Sequence, residues 1–244
     1  MAPDPIAAPA GQVIVTGAAS GIGAAIVRGL VACGRPVGAL DIAPDGLARL
    51  RDEAGDLIRT ACVDLTDPDA LEAAIAACRI DTVPLTGLVN NVGGGGGQSL
   101  VEMTPGQWNA TLALNLTSAF LATKAVLGPL MANGGGAIVN IASIAAYRVS
   151  PVGGAAYAAA KAGMLAFTRQ CAHELAAHRI RVNAICPGPT RTGLTRHSQR
   201  EDCEFPLGRW IEPSDIVPTA LHLLGPRSAM CTGAAITIDG GAGL

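Results

Sequence analysis

Short runs of β-branched apolar residues alternate along this chain with longer stretches whose apolar positions recur every three or four residues. Gln12 to Thr16 (QVIVT) reads as a strand that runs into glycines, and residues 22–33 (IGAAIVRGLVAC) follow with helical periodicity. The same alternation continues with a strand over Pro36 to Leu40, a helix over 44–54, a strand over Leu57 to Val63 and a helix over Pro68 to Cys78. Asp67 is a candidate N-cap there, with Pro68 at the first helical position. Leu85 to Val89 is a strand, followed by the glycine run Gly93 to Gly97. Thr104-Pro105-Gly106-Gln107 has capping-box spacing and opens a long helix to about Ala132. A strand over Gly136 to Ile141, a helix from about Gly154 to His178, a strand over Ile180 to Ile185, a helix over Pro213 to Leu224 and a last strand over Ala235 to Ile238 complete the order.

The predicted strands are short and show no polar–apolar alternation, the pattern of strands covered on both faces. The fold class is therefore α/β: a doubly wound parallel sheet of about seven strands with helices on both faces and right-handed crossovers. A ligand belongs at the carboxyl ends of such strands. No linker or repeat interrupts the order, so 1–244 reads as one domain, with the irregular stretch at about 189–212 as an integral lid.

Composition narrows the function. Half of the 244 residues are apolar and 15% are charged, against a usual quarter or so, with a mean hydropathy of +0.39. Disorder is excluded, and a chain of this length buries roughly 70–75% of its unfolded surface without disulfide or metal. Net charge is −2 with no Lys/Arg run, so nucleic acid is not an expected partner. The seven cysteines show neither CxxC nor zinc-ligand spacing, so no metal site is expected and a reducing cytoplasm fits. The first residues, MAPDPIAAPAG, lack the marks of a signal peptide, and no run of 18 apolar residues predicts a membrane span.

Two constellations carry chemistry. Thr16-Gly17-Ala18-Ala19-Ser20-Gly21-Ile22-Gly23 joins the first strand to the first helix, where glycines let backbone approach a pyrophosphate at a helix N-terminus. Asp41 follows the second strand, 18 residues after Gly23; a carboxylate there accepts bonds from the adenosine ribose hydroxyls and repels a 2′-phosphate. Asp64, after the third strand, either bonds the adenine amino group or serves the turn before the next helix. Tyr157 and Lys161 lie at i and i+4, on one helix face. A nearby ammonium favours the phenolate, so the pair predicts a tyrosine of lowered pKa that exchanges a proton with an alcohol or carbonyl oxygen. Ser143 is placed to hold that oxygen, and the amide of Asn115, inside an apolar helical run, is expected to find its partners in a water chain to Lys161.

With these residues in order, the chain resembles the short-chain dehydrogenase/reductases, the NAD(P)-binding Rossmann-type family, over nearly its whole length. The matching segments are TGAASGIG (16–23), NNVG (90–93), Asn115, Ser143, Tyr157-Ala-Ala-Ala-Lys161, and Pro187-Gly188 with Thr192. The resemblance implies that Tyr157 is the general acid/base. It implies that Lys161 lowers its pKa and holds the nicotinamide ribose, that Ser143 orients the substrate oxygen, and that Asn115 anchors a relay water. Gly17, Ser20, Gly21, Ile22, Gly23, Asp41, Asp64, Leu65, Asn91, Gly93, Pro187, Gly188, Thr190 and Thr192 would complete the cofactor site. Asp41 implies NAD(H) rather than NADP(H). The implied reaction is hydride transfer between NAD and a secondary alcohol/ketone pair. Its alternatives are a 3-oxoacyl-[acyl-carrier-protein] reductase and a nucleotide-sensing regulator on the same fold.

The sequence departs from the family's NNAG at Val92, which is expected to place two extra methyl groups beside the cofactor, and the glycines after Gly93 are expected to leave that loop free. Tyr147, Arg148, Arg191, Arg196 and His197 are the polar candidates for substrate choice, and the arginines suit a carboxylate or phosphate. His173 and His178 suit a helix C-terminus, and Trp108 and Trp210 read as packing anchors. The helices at 105–132 and 154–178 are apolar around much of their circumference, which predicts burial between subunits of a homotetramer or homodimer.

Overall fold

The computed structural model describes residues 11–95, 97–150, 153–193, 195 and 205–244. Seven parallel strands form one sheet in the order β3-β2-β1-β4-β5-β6-β7: β1 (Gln12–Thr16), β2 (Val37–Asp41), β3 (Ile58–Cys62), β4 (Leu85–Asn90), β5 (Gly136–Ile141), β6 (Ile180–Pro187) and β7 (Ala235–Ile238). The chain order reverses between β1 and β4. A crevice at the carboxyl edge is the geometric consequence of that reversal.

Successive strand residues feed opposite layers. Val13 and Val15 of β1, Val37 and Ala39 of β2 and Val139 of β5 join one buried cluster. Helices α1 (Gly21–Ala32), α2 (Pro44–Ala54) and α7 (Pro213–Leu224) cover that face. Ile14, Leu40, Leu88 and Ile138 point the other way, into a second cluster. There they meet α3 (Pro68–Cys78), α5 (Ser118–Ala132) and α6 (Gly154–Leu175). The expected burial on both faces therefore holds for the inner strands. It fails at the edges, where β3 and β7 each expose residues and, among the described residues, have a strand on one side only.

The helix starts follow the chemistry of their first residues. The Asp67 carboxylate accepts from the amides of Asp69 and Ala70. Thr104 and Gln107 form a reciprocal capping box at α4 (Pro105–Leu112). The long helix expected to about Ala132 is not uniform. A π-helical segment, Ala113–Thr117, separates α4 from α5, and Asn115 lies buried within it. By length and composition this combined helix would suffice to cross a bilayer. It instead lays Ala119, Ala122, Thr123, Val126 and Leu130 into the interior. The described part of the 189–212 stretch is anchored: Thr190 bridges Ile211, and Phe205 and Trp210 are buried with ring centroids 5.2 Å apart. Trp108 is half-buried.

A buried polar chain crosses the second layer. Asn90 Nδ2 donates to Thr123 Oγ1 (3.1 Å) and Asn140 Oδ1 (2.8 Å), and Asn140 Nδ2 donates to Thr168 Oγ1 (2.9 Å). It joins β4 and β5 to α5 and α6. Removing its central member takes one bond each from Asn90 Nδ2 and Thr168 Oγ1, which keep Thr123 and the Met164 carbonyl as partners, and leaves a cavity. Asn140→Ala is therefore expected to cost about 1–3 kcal/mol in urea unfolding, and a loss below about 0.5 kcal/mol would show that the chain contributes nothing.

Candidate active site

The carboxyl edge collects the candidate residues. Thr16 closes β1, and its hydroxyl accepts from the amide of Asn91 (3.1 Å) and donates to the Val89 carbonyl. Asn91 Nδ2 donates in turn to the Gly17 carbonyl at 2.8 Å. The glycine turn is thus stitched across the point where strand order reverses. Gly23 admits no side chain: a Cβ there would come 2.0 Å from the Gly17 carbonyl oxygen. Ser20 sits at the N-cap of α1, is exposed, and makes no side-chain cap bond. No acidic residue occupies the first turn of α1. An uncovered helix N-terminus behind a close-packed glycine turn fits a pyrophosphate. Ile22 packs on the first cluster and secures the turn from beneath.

Asp41 ends β2 with its carboxylate bound on both oxygens, accepting from the amides of Ala19 and Ala43, each at 2.9 Å. It is thereby held against the glycine turn in one orientation. Asp64 accepts from the amide and hydroxyl of Thr66, which lower its pKa. Of its two expected roles the turn role is visible, while the neighbouring Leu65 is buried.

The second half of the site surrounds Gly93. A Cβ on Gly93 would lie 2.7 Å from Asn115 Oδ1 and 2.8 Å from Lys161 Nζ. Only a bare backbone fits between them. Asn115 is fully buried; its Oδ1 accepts from the Gly94 amide (3.0 Å), and its Nδ2 donates to the carbonyls of Gly94 (2.8 Å) and Thr111 (3.0 Å). The backbone of Gly94 and the helical carbonyl of Thr111 thus supply this amide with its bonds. The expectation of a free loop is corrected. Gly94 is doubly bonded to Asn115, and a Cβ on Gly95 would lie 3.1 Å from Gly153 Cα and 3.5 Å from Tyr157 Cγ. Val92 is partly buried: its side chain packs on the second hydrophobic cluster, and its Cγ2 would lie 3.0 Å from a Cβ on Gly17, so one methyl group also faces the glycine turn.

Tyr157 and Lys161 share the inner face of α6. Lys161 Nζ donates to the Ile141 carbonyl (3.0 Å) and stands 5.6 Å from the Tyr157 ring centroid. Burial lowers the lysine pKa to about 8. The tyrosine does not show the expected lowering. Burial raises its pKa, and a hydrogen bond with Ser143 opposes that rise. The reason is desolvation: both groups lie where the charged form loses water, and the ammonium is not in contact with the phenol oxygen. Ser143 caps the 3₁₀ turn Ile144–Ala146 by accepting from the Ala145 amide (3.1 Å).

Past β6, Pro187 is buried, and the Gly188 amide donates to the Ile238 carbonyl. Thr190 donates to the Gly188 carbonyl, and the Thr192 methyl group would touch a Cβ on Gly21 at 3.2 Å. This segment therefore arches from the Ser143 side to the glycine turn. Arg191 pairs with Glu212 (3.0 Å) and stacks on Trp210, whereas Arg196 and His197 fall outside the described residues. Sequence reasoning missed Gly95 and Gly153 as contacts of Tyr157, although the glycine run itself was the signal. It also missed Cys186, a buried thiol bonded to Tyr147 and the Ser143 backbone, whose pKa burial raises.

A family model described as enoyl-(acyl carrier protein) reductase matches residues 17–243. The 2-(S)-hydroxypropyl-CoM dehydrogenase 3 of Xanthobacter autotrophicus is 34% identical, over 94% of this chain and 95% of that protein. A 3-oxoacyl-[acyl-carrier-protein] reductase of Vibrio cholerae is 33% identical, over 93% and 95%. The crystal structure of a 3-ketoacyl-(acyl-carrier-protein) reductase from Brucella melitensis complexed with NADH superposes with a TM-score of 0.90 at 28% identity, covering 96% of this chain and 98% of that one. A fold of seven parallel strands, a glycine turn and a Ser–Tyr–Lys cluster at one sheet edge thus coincide with a family match over nearly the full length. The chain belongs to the short-chain dehydrogenase/reductase family of oxidoreductases.

Proposed function

We propose that the protein is an NAD(H)-dependent oxidoreductase that interconverts a secondary alcohol and a ketone. The observation that carries this reading is the meeting of Tyr157 with Ser143 and Lys161 beneath the Gly93–Gly95 backbone, at the edge that also holds the glycine turn. Gly17, Ser20, Gly21, Ile22 and Gly23 hold the pyrophosphate, and Asp41, Asp64 and Leu65 take the adenosine end. Asn91, Gly93, Pro187, Gly188, Thr190 and Thr192 frame the nicotinamide, with Lys161 on its ribose. When bound, the nicotinamide ring donates or accepts the hydride.

The chain's own residues handle the proton. In the reductive direction the Tyr157 phenol donates its proton to the carbonyl oxygen that Ser143 positions; in the oxidative direction the phenolate removes the alcohol proton. Lys161 keeps a positive charge beside that exchange. Asn115 acts by fixing Gly94, which keeps the loop over both side chains. Asp41 supports NAD over NADP because its fixed carboxylate would face a 2′-phosphate as a like charge. The second reading, a 3-oxoacyl-[acyl-carrier-protein] reductase, is favoured by the relatives of that name. A nucleotide-sensing role is disfavoured by the complete set of Asn115, Ser143, Tyr157 and Lys161. We further infer a homotetramer or homodimer through α4–α5 and α6, where Leu114, Phe120 and Met131 are exposed and Phe167 stands edge-on to Phe120. A cytoplasmic setting and one domain over 1–244 belong to the same reading.

Tyr157→Phe is expected to reduce turnover by about 10²–10⁴-fold in an NADH-oxidation assay while NADH still binds by fluorescence titration; a variant with undiminished turnover rules out the proton role. Ketone reduction should fall, and alcohol oxidation rise, as pH passes upward through the tyrosine pKa, because the first needs the phenol and the second the phenolate. Paired kcat/KM measurements should favour NADH over NADPH, and Asp41→Asn should shrink that ratio about tenfold, equivalent to about 1.4 kcal/mol. A wild-type preference for NADPH would instead support the acyl-carrier reading. Sedimentation at micromolar concentration should give a tetramer or dimer; a monomer alone contradicts the assembly.

A further inference from the structure

A cleft of about 350 Å³ begins one residue past Ser143 and two past Pro187. Its walls are Ile144, Val149, Pro189 and the segment 242–244, whose side chains are all uncharged, and the one charged side chain among its described lining residues is Arg148. The position of Arg148 is fixed at its backbone, whose amide donates to the Ile144 carbonyl at 2.9 Å, closing the turn that Ser143 caps. Its side chain is exposed, with Nε 3.8 Å from where a Gly243 Cβ would stand. Among the described residues it makes no ion pair.

Two arginines of the 189–212 stretch are already committed. Arg191 is paired with Glu212, and Arg209 is held by both oxygens of Asp215. The side-chain carboxylate facing this region is that of Asp239, whose oxygens accept from the amides of Gly241 (3.0 Å) and Gly243 (2.8 Å) and so hold the 241–243 backbone in place. What remains is a guanidinium with free donors at the rim of an apolar cleft. A planar fork of donors in such surroundings selects a carboxylate or phosphate.

We propose that the substrate carries an anionic group, a carboxylate or a phosphate, that pairs with Arg148 while its carbonyl lies at Ser143 and Tyr157. The short aliphatic stretch between the two groups rests on Ile144, Val149 and Pro189. This inference rests on the redox reading of the same site, and it turns that reading from "a ketone" into "an anionic ketone".

The test is a matched series of ketones with NADH: acetoacetate, its uncharged methyl ester, and 4-hydroxy-2-butanone phosphate. At least one anion is expected to exceed the ester in kcat/KM by tenfold or more, and which anion does so separates carboxylate from phosphate. In Arg148→Gln the anion-to-ester ratio should collapse toward one, mainly through KM for the anion, and Arg148→Lys should restore part of it. A wild type that uses the ester as well as both anions overturns the inference and leaves the redox reading standing. A ratio unchanged in Arg148→Gln overturns it too. If no ketone in the series oxidises NADH, the redox reading fails and takes the inference with it.

Discussion

The constraint on which the candidate site depends is the bare backbone of Gly93, where a Cβ would meet both Asn115 Oδ1 and Lys161 Nζ. Three elements converge on that point: the loop after β4, the π-helical segment after α4, and the inner face of α6. Any side chain at position 93 would drive an amide and an ammonium out of contact distance, and both are buried. The next two glycines extend the contact, Gly94 through its paired hydrogen bonds to Asn115 and Gly95 through its approach to Gly153 and the tyrosine ring. A segment whose composition suggests looseness is therefore among the tightest in the structure. Its glycines are needed for proximity, and their conformational freedom is lost to the bonds they make.

That packing sets the electrostatics. Lys161 and Tyr157 are pushed by the same cause in opposite directions on the pH scale, the ammonium toward losing its proton and the phenol toward keeping it. Each shift favours the neutral form, as expected where water is excluded and protein dipoles take its place. Ser143 opposes the trend at the phenol, and the Ile141 carbonyl supplies the lysine with one fixed acceptor. The folded chain pays for this arrangement at neutral pH. Lys161 binds its proton more weakly folded than unfolded, so its unfavourable contribution is complete below about pH 8 and fades as pH climbs toward 10.5.

Much of this was legible in the chain. Short unalternating apolar runs predict every strand to within two residues, because burial on both faces leaves strand positions little choice, and the period of 3.6 predicts α1, α2, α3 and α7 to within one. The glycine turn, Asp41, Ser143, Tyr157 and Lys161 announce themselves by residue type and spacing. What spacing does not carry is which partner satisfies a buried group. Asn115 reads as an amide in need of bonds, but whether water or backbone supplies them depends on a loop more than twenty residues away. The π-helical segment is equally silent, since one extra residue in a turn leaves no mark on apolar periodicity over five positions. Among the arginines, residue type cannot separate Arg191, already bound to Glu212, from Arg148, which is not.

One buried contact far from any reacting atom has a consequence for alignment. β4 and β5 are built largely from interchangeable small and aliphatic rungs, which define faces well and position along the strand poorly. Asn90 stands directly across from Asn140 at the last rung, and their amides bond. A slip of one residue would put the two asparagines on opposite faces of the sheet, and a slip of two would separate them inside hydrocarbon. The pair thus acts as a key that admits one alignment. Through it, the height of the Asn91–Gly93 loop relative to Ser143 is decided deep in the sheet, by a bond that no substrate ever touches.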